Sequence, residues 1–133
     1  MTPVFADTFY FLALLNPDDE AHGRAVKASR PLKWPLVTTY WVLTELGDAL
    51  AASGRRSGFF AVVDALRSNP MVSLAEPTVE LFDAGVALYH SRKDKDWPLT
   101  DCISFVVMRQ HGITEALTGD HHFEQAGFVA LLK

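Results

Sequence analysis

The stretch that decides the fold is VFADTFYFLALL, residues 4–15. Its first three residues form a short apolar run, which predicts a buried strand. Asp7 ends this run, and residues 8–15 are predicted to form a helix that stops where Asn16-Pro17 disfavours helical backbone. The stretch is therefore a strand that passes directly into a helix, with a carboxylate at the junction.

The same alternation of strand and helix continues along the chain. Further strands are predicted at residues 36–38, 71–74, 114–117 and 128–131. Helices are predicted at residues 18–29, 39–52, 57–67, 78–91 and 98–111, with a helical turn at 121–125. This order predicts an α/β fold with a mainly parallel sheet and helices on both faces. Because the sequence shows no repeat, low-complexity tract or linker, we expect a single domain over residues 1–133.

Composition limits the class of protein. Hydrophobic residues make up 49% of the chain and charged residues 21%, which is not the composition of a disordered protein. No apolar run approaches the roughly 20 residues that span a bilayer, and the first residues lack the basic region and cleavage site of a signal peptide. The single cysteine, Cys102, allows no intrachain disulfide. We therefore expect a cytoplasmic protein without a membrane segment.

Acidic residues stand at several of the predicted junctions. Asp7 and Asp120 follow strands, and Asp101 lies in the first turn of a helix. Ligands of parallel α/β sheets bind beyond the carboxyl ends of the strands, so these three acids are expected at one edge. Glu45 differs because it lies inside its helix, where an unpaired carboxylate is costly to bury.

Each acid also has a purely structural interpretation. Asp7 and Asp120 can cap the helices that follow them, and Asp101 can interact with its helix dipole. Glu45 can reach solvent at the edge of its helix. Together, however, the acids predict a cation site, because two carboxylates about 4 Å apart repel by roughly 4 kcal/mol at an effective dielectric near 20. Carboxylate ligands suit Mg²⁺ or Mn²⁺, and such a site favours phosphodiester hydrolysis.

Other residues of the chain are candidates for binding RNA or a metal ion. The net charge of −4 argues against a broad nucleic-acid surface, but basic residues cluster locally. Three of them and one tryptophan are candidate RNA contacts: Arg92, Lys93, Lys95 and Trp97, with Trp97 as a wall of the groove. The adjacent His121 and His122 are expected to point apart and not to share a metal ion. Cys102 is expected to be a packed thiol.

Four segments together resemble a PIN-domain protein, most closely the prokaryotic toxins of the virulence-associated protein C type. The segments are residues 4–8, 38–46, 96–104 and 117–128, and the resemblance covers nearly the whole chain in order. It implies a three-layer α/β/α fold and a ribonuclease that depends on Mg²⁺ or Mn²⁺. It also implies a homodimer and a cognate antitoxin whose tail covers the acidic groove with a basic side chain.

The resemblance assigns roles to particular residues. Asp7 and Asp101 would be the central metal ligands, and Glu45 and Asp120 would complete the pocket directly or through water. Three residues would support these ligands from a second shell: Thr118, Asp96 and Thr8.

Three other functions remain open at this point. A PIN nuclease of RNA processing would carry the same acids but would not be part of a toxin pair. A receiver-like regulatory domain also binds Mg²⁺, but it needs adjacent acids after the first strand, and here Thr8 follows Asp7. A PIN-like module that binds a partner without cutting is disfavoured by the four intact acids.

Overall fold

The computed structural model describes residues 2–29, 34–52 and 54–133. Within these ranges the strands are β1 Val4–Ala6, β2 Leu36–Thr39, β3 Val72–Ala75, β4 Glu115–Leu117 and β5 Val129–Ala130. The helices are α1 Thr8–Leu15, α2 His22–Ser29, α3 Tyr40–Leu50, α4 Arg56–Ser68, α5 Val79–Ser91, α6 Leu99–Gln110 and α7 His121–Gln125. None of these helices has both the length and the apolar surface that crossing a bilayer requires.

The predicted elements are confirmed with their ends shifted by one or two residues, except at α2. This helix begins at His22, whereas the sequence predicted a start at Asp18. The side-chain oxygen of Asn16 accepts the N–H of Asp18 at 3.1 Å, and that of Asp19 accepts the N–H of Ala21 at 2.8 Å. These local bonds hold the backbone in turns and so compete with the helix.

The five strands form one parallel sheet in the order β3-β2-β1-β4-β5. The central strand, β1, pairs with β2 on one side and β4 on the other, and its three residues are fully buried. A strand covered on both faces needs apolar side chains at every position, which explains the continuous apolar run at residues 4–6. The prediction of a mainly parallel sheet is confirmed.

The strand order distributes the helices over the two faces of the sheet. The chain steps from β1 to β2 and β3 in one direction, and after β3 it crosses to β4 and β5 on the other side. Right-handed crossovers then place α1–α4 on one face and α5–α7 on the other. The contacts between helices agree, since α1 packs on α2 and α3, while α6 packs on α5 and α7. The fold is a three-layer α/β/α sandwich.

Helix α6 is buried nearly all round, as the sequence predicted. Its Phe105 packs edge-on against Phe123 of α7, with ring centroids 4.9 Å apart. On its other side α6 lies against α5, where a Cβ on Gly85 would come within 2.3 Å of Ile103 Cγ1. A glycine at that position lets α5 and α6 approach closely, which fixes the position of α6 over the sheet.

The strand order reverses direction between β1 and β4, so their carboxyl ends lie side by side at a topological switch point. Such a point is where open parallel sheets bind their ligands. Asp7 follows β1 there, and Thr118 to Asp120 follow β4.

Candidate active site

Asp7 occupies the N-cap position of α1, yet its side chain makes no capping hydrogen bond. Its Oδ2 instead accepts the hydroxyl of Thr118 at 2.8 Å, and the oxygen of that hydroxyl accepts the N–H of Asp120 at 3.0 Å. Asp7 is 3% exposed, and Thr118 is fully buried. Thr118 therefore connects the first acid to the fourth across the switch point, and helix capping does not explain Asp7.

Asp120 and Asp101 approach the same region from α7 and α6. Asp120 is the N-cap of α7, and its Oδ1 accepts the N–H of His122 at 2.9 Å. Asp101 lies in the first turn of α6, is 4% exposed, and has its Oδ2 3.2 Å from Nδ1 of His122. Asp120 thus has the capping role considered from the sequence, and its carboxylate also faces the imidazole that contacts Asp101.

Glu45 is half-buried on α3 and joins the three aspartates. Two threonines at the end of β2 direct α3 toward them: the Thr38 hydroxyl donates to the carbonyl of Ala6 at 2.7 Å, and Thr39 Oγ1 accepts the N–H of Val42 at 3.1 Å. The negative charge of Glu45 raises the pKa of both Asp7 and Asp101. The acid inside its helix therefore faces the same pocket as the acids at the junctions.

Burial and mutual repulsion shift the pKa values of the two most buried acids. Burial raises the pKa of Asp7 to about 6, hydrogen bonds from Thr118 and the Thr8 backbone oppose this rise, and the charges of Glu45 and Asp120 add to it. The pKa of Asp101 rises to about 8, first through burial and then through the charges of Asp7, Asp120 and Glu45. Each shift depends on the other acids, so the four behave as one electrostatic cluster.

Two buried oxygens in this cluster have no hydrogen-bond partner among the residues that the structure describes, Asp7 Oδ1 and Thr8 Oγ1. Buried polar atoms nearly always have a partner, so an orphaned carboxylate oxygen beside other carboxylates indicates a position for a cation. The donors are carboxylates, and hard divalent ions such as Mg²⁺ prefer such oxygens. The residues present therefore fit a divalent cation.

The two adjacent histidines do not point apart, which corrects the expectation from the sequence. Their ring centroids lie 4.3 Å apart, and Nδ1 of each ring lies near Asp120 Oδ1, at 3.5 Å for His121 and 3.3 Å for His122. Together with Asp120 they form a group of close metal-ligating atoms. The contact of His122 with the acids was not expected, because adjacency in the sequence does not determine where two side chains point at the start of a short helix. The signal was the capping Asp120, whose side chain contacts the residue two positions later.

The predicted RNA contacts line a cavity of about 500 Å³ where α5 ends and α6 begins. Arg92, Lys93, Lys95 and Asp96 lie in its wall, and the Arg92 guanidinium is bonded to Asp94 at 3.0 Å. Trp97 also lines this cavity, but its ring offers little free surface on which a base could stack. It is 3% exposed, because its ring packs edge-on against Phe105 and lies under Arg92.

Among the supporting residues that the resemblance suggested, the three differ in position. Thr118 and Thr8 lie at the cluster itself, Thr118 through its bond to Asp7 and Thr8 through its buried hydroxyl beside Asp7. Asp96 is exposed in the basic cavity and is not among the charges that raise the pKa of Asp7 or Asp101. Support of the metal ligands by Asp96 stays a prediction.

Comparison with known proteins agrees with this geometry. The family model described as PIN domain matches residues 4–129. The chain belongs to the PIN-domain family. This PIN domain is 33% identical over 130 residues to the 23S rRNA-specific endonuclease VapC20 of Mycobacterium tuberculosis, in strain CDC 1551 / Oshkosh and equally in strain ATCC 25618 / H37Rv. The match covers 95% of this chain and 95% of each relative.

A solved structure extends the agreement to three dimensions. The crystal structure of Mycobacterium tuberculosis VapC20, a Sarcin-Ricin loop cleaving toxin, matches this PIN domain with a TM-score of 0.85 at 29% identity. The match covers 95% of this chain and 96% of that one. The family resemblance and the fold expected from the sequence are both confirmed.

Proposed function

We propose that this PIN domain is an endoribonuclease that hydrolyses phosphodiester bonds in RNA and depends on Mg²⁺ or Mn²⁺. The observation that carries the proposal is that carboxylates from distant parts of the chain act on one another electrostatically, and that one buried oxygen of Asp7 among them has no hydrogen-bond partner in the described part of the chain. Such a cluster holds its full negative charge only beside a divalent cation. The similarity to relatives named as rRNA endonucleases supports the same reaction class.

The four acids would have different roles in binding the cation. Asp7 and Asp101 are the central ligands, since they are the most buried members, and Glu45 and Asp120 complete the pocket. A bound divalent cation neutralises charge on the phosphate and activates water for attack. Thr118 holds the Asp7 carboxylate in place from a buried position, and the contact of Thr38 with Ala6 holds the end of β2 at this edge.

We propose ribosomal RNA as the substrate class, by analogy with the relative whose name specifies 23S rRNA. The cavity beside α6 offers cations to the phosphates that flank the cleaved bond, from the exposed Lys93 and the half-buried Lys95 in particular. The cations of this cavity lie just before α6, and the carboxylate of Asp101 lies in its first turn. A folded RNA would therefore span the basic cavity and the acidic cluster together. A protein of net charge −4 thus concentrates its RNA contacts in one cavity.

We also propose that the chain is a cytoplasmic toxin held inactive by a cognate antitoxin. The acidic cluster is a receptor for a basic side chain, because Arg or Lys would relieve the repulsion that raises the pKa of Asp7 and Asp101. Growth provides the test. Expression of the chain alone should arrest cells, Asp101→Asn should abolish the arrest, and normal growth with the wild type would favour a PIN nuclease of RNA processing instead.

A homodimer is the proposed assembly, formed through an apolar stripe on α5. Four of its side chains are exposed at a spacing that places them on one helical face, Val79 (70%), Phe82 (39%), Val86 (38%) and Tyr89 (53%). Trp41 of α3 extends the stripe by stacking on Phe82, with ring centroids 6.4 Å apart. Phe82→Glu should convert the dimer to a monomer in light scattering, whereas the exposed Glu80→Gln should leave it dimeric.

Cleavage of purified ribosomes and of total RNA, with the new ends mapped, tests the nuclease proposal directly. Wild type should cut only with added Mg²⁺ or Mn²⁺, and Asp7→Asn or Asp101→Asn should not cut. Asp83→Asn, which removes an exposed carboxylate of α5, is the matched control and should cut as the wild type does. Full cleavage by either active-site variant, or by the wild type in excess chelator, would contradict the proposal.

A further inference from the structure

His122 lies between two carboxylates of the acidic cluster. Its Nδ1 is 3.2 Å from Asp101 Oδ2 and 3.3 Å from Asp120 Oδ1. The backbone N–H of His122 donates to Asp120 Oδ1 at 2.9 Å, and the His121 ring lies beside the His122 ring, with centroids 4.3 Å apart. With 17% of its side chain exposed, His122 is a fixed part of the pocket wall.

Both separations from Nδ1 are those of neighbouring ligands on one ion. In an octahedral site with ligand distances of about 2.1 Å, adjacent ligand atoms lie about 3 Å apart. The two measured separations from Nδ1 are close to that edge length. The orphaned Asp7 Oδ1 is an independent indication that this pocket holds a further group.

We propose that His122 Nδ1 is a ligand of the divalent cation and biases the site toward Mn²⁺ over Mg²⁺. This inference rests on the metal-dependent function proposed above. Imidazole nitrogen is a ligand that first-row transition ions accept, whereas Mg²⁺ is bound almost entirely by oxygen. A pocket of carboxylates alone would discriminate little between the two ions, so one nitrogen at this position decides the preference.

The exposed His90 of α5 provides a matched control, and His121 is the competing nitrogen ligand on the neighbouring residue. Its Nδ1 lies farther from Asp120 Oδ1, at 3.5 Å, and 64% of its side chain is exposed. His122→Asn is the informative variant, because the Asn amide can still donate a hydrogen bond to Asp101 or Asp120 but offers no imidazole nitrogen. A role limited to hydrogen bonding would survive this substitution, and a role as nitrogen ligand would not.

Calorimetric titration of the full chain with Mn²⁺ and with Mg²⁺ tests the inference. His122→Asn should bind Mn²⁺ about tenfold more weakly and Mg²⁺ within twofold of the wild type, and His90→Asn should match the wild type for both ions. Weaker Mn²⁺ binding in His121→Asn instead of His122→Asn would overturn the assignment to His122. Pulsed EPR of bound Mn²⁺ should show coupling to a histidine nitrogen in the wild type and none in His122→Asn. If His122→Asn does not fold, the spectrum of His121→Asn recorded with ¹⁵N-labelled histidine decides between the two rings, because the coupling should persist in that variant.

The remaining outcomes separate this inference from the function on which it rests. Equal weakening for both ions, unchanged Mn²⁺ affinity in His122→Asn, or no nitrogen coupling in the wild type would overturn the ligand role while leaving the nuclease intact. If the wild type bound neither ion, or Asp101→Asn bound both as tightly as the wild type, the metal site itself would be wrong.

Discussion

Asp7 and Asp101 are two buried aspartates in one pocket with different electrostatics. They are 3% and 4% exposed, yet the pKa of Asp7 rises to about 6 and that of Asp101 to about 8. Burial is the largest cause of both rises, but hydrogen bonds from Thr118 and the Thr8 backbone lower the pKa of Asp7, whereas three carboxylate charges raise the pKa of Asp101 further. The pKa of a buried acid thus depends on its hydrogen-bond donors as well as on its burial.

The largest expected effect is shared by both residues. Asp7→Asn and Asp101→Asn should each reduce kcat/KM for RNA cleavage by at least about a thousandfold, because each removes a charge that holds the cation. Their metal-free stabilities should differ. At pH 8, Asp101→Asn should gain about 2 kcal/mol or more in the free energy of unfolding, and Asp7→Asn should gain less. Chemical denaturation in EDTA measures this, and an equal gain for both would contradict the comparison.

Thr118→Val tests why the two acids differ. Without the hydroxyl donor the pKa of Asp7 should rise above about 6 and approach that of Asp101. We expect kcat to fall about 10–100-fold, and the acidic limb of the pH–rate profile to move to higher pH. Thr118→Ser keeps the donor and should restore both. A Val variant with the wild-type pH profile would show that Thr118 does not control Asp7.

The pH dependence of stability should show the titrations of Asp7 and Asp101 one after the other. A carboxyl whose pKa is raised in the folded state binds its proton more tightly there than in the unfolded chain, so stability falls as pH rises from the ordinary value of 3.8 to the raised value. The Tm in EDTA should therefore fall from pH 4 to about 6 through both acids, and on to about 8 through Asp101 alone.

Two controls sharpen that measurement. In Asp101→Asn the decline of the Tm between pH 6 and 8 should become shallower. This result would separate the titration of Asp101 from that of the histidines. Saturating Mn²⁺ should raise the Tm more at pH 8 than at pH 5, because the cation takes the place of the protons. A Tm in EDTA that stayed constant from pH 5 to 8 would show that neither acid carries the assigned shift.

The smallest expected effect concerns the basic cavity. Lys93→Ala and Lys95→Ala should each raise KM for RNA about two- to fivefold with little change in kcat, and each should lower the salt dependence of binding by about one ion. Arg67→Ala, at the exposed end of α4, is the control and should change neither. A fall in kcat without a change in KM would place these lysines at the reacting phosphate instead of along the RNA backbone.

The sequence predicted elements and junctions better than side-chain directions. The apolar runs and the junction acids identified the strands, their order along the chain and the edge where Asp7 and Asp120 meet. Glu45 was expected to be the outlier, because nothing local shows that Thr38 ties β2 to the end of β1 and so aims α3 at the pocket. The burial of Trp97 and the direction of His122 could not be predicted for the same reason, since packing over α6 and α7 decides which way each ring faces.

The hydrogen bond between Thr118 and Asp7 joins residues 111 positions apart, which has a consequence for synthesis. While the ribosome is making the protein, β1 has no neighbour on the β4 side until the chain has been extended past residue 117. A growing chain that carries Asp7 and Glu45 still lacks Asp120, so it cannot assemble the cluster. The order of the strands therefore delays assembly of the acidic cluster until synthesis of the protein is nearly complete.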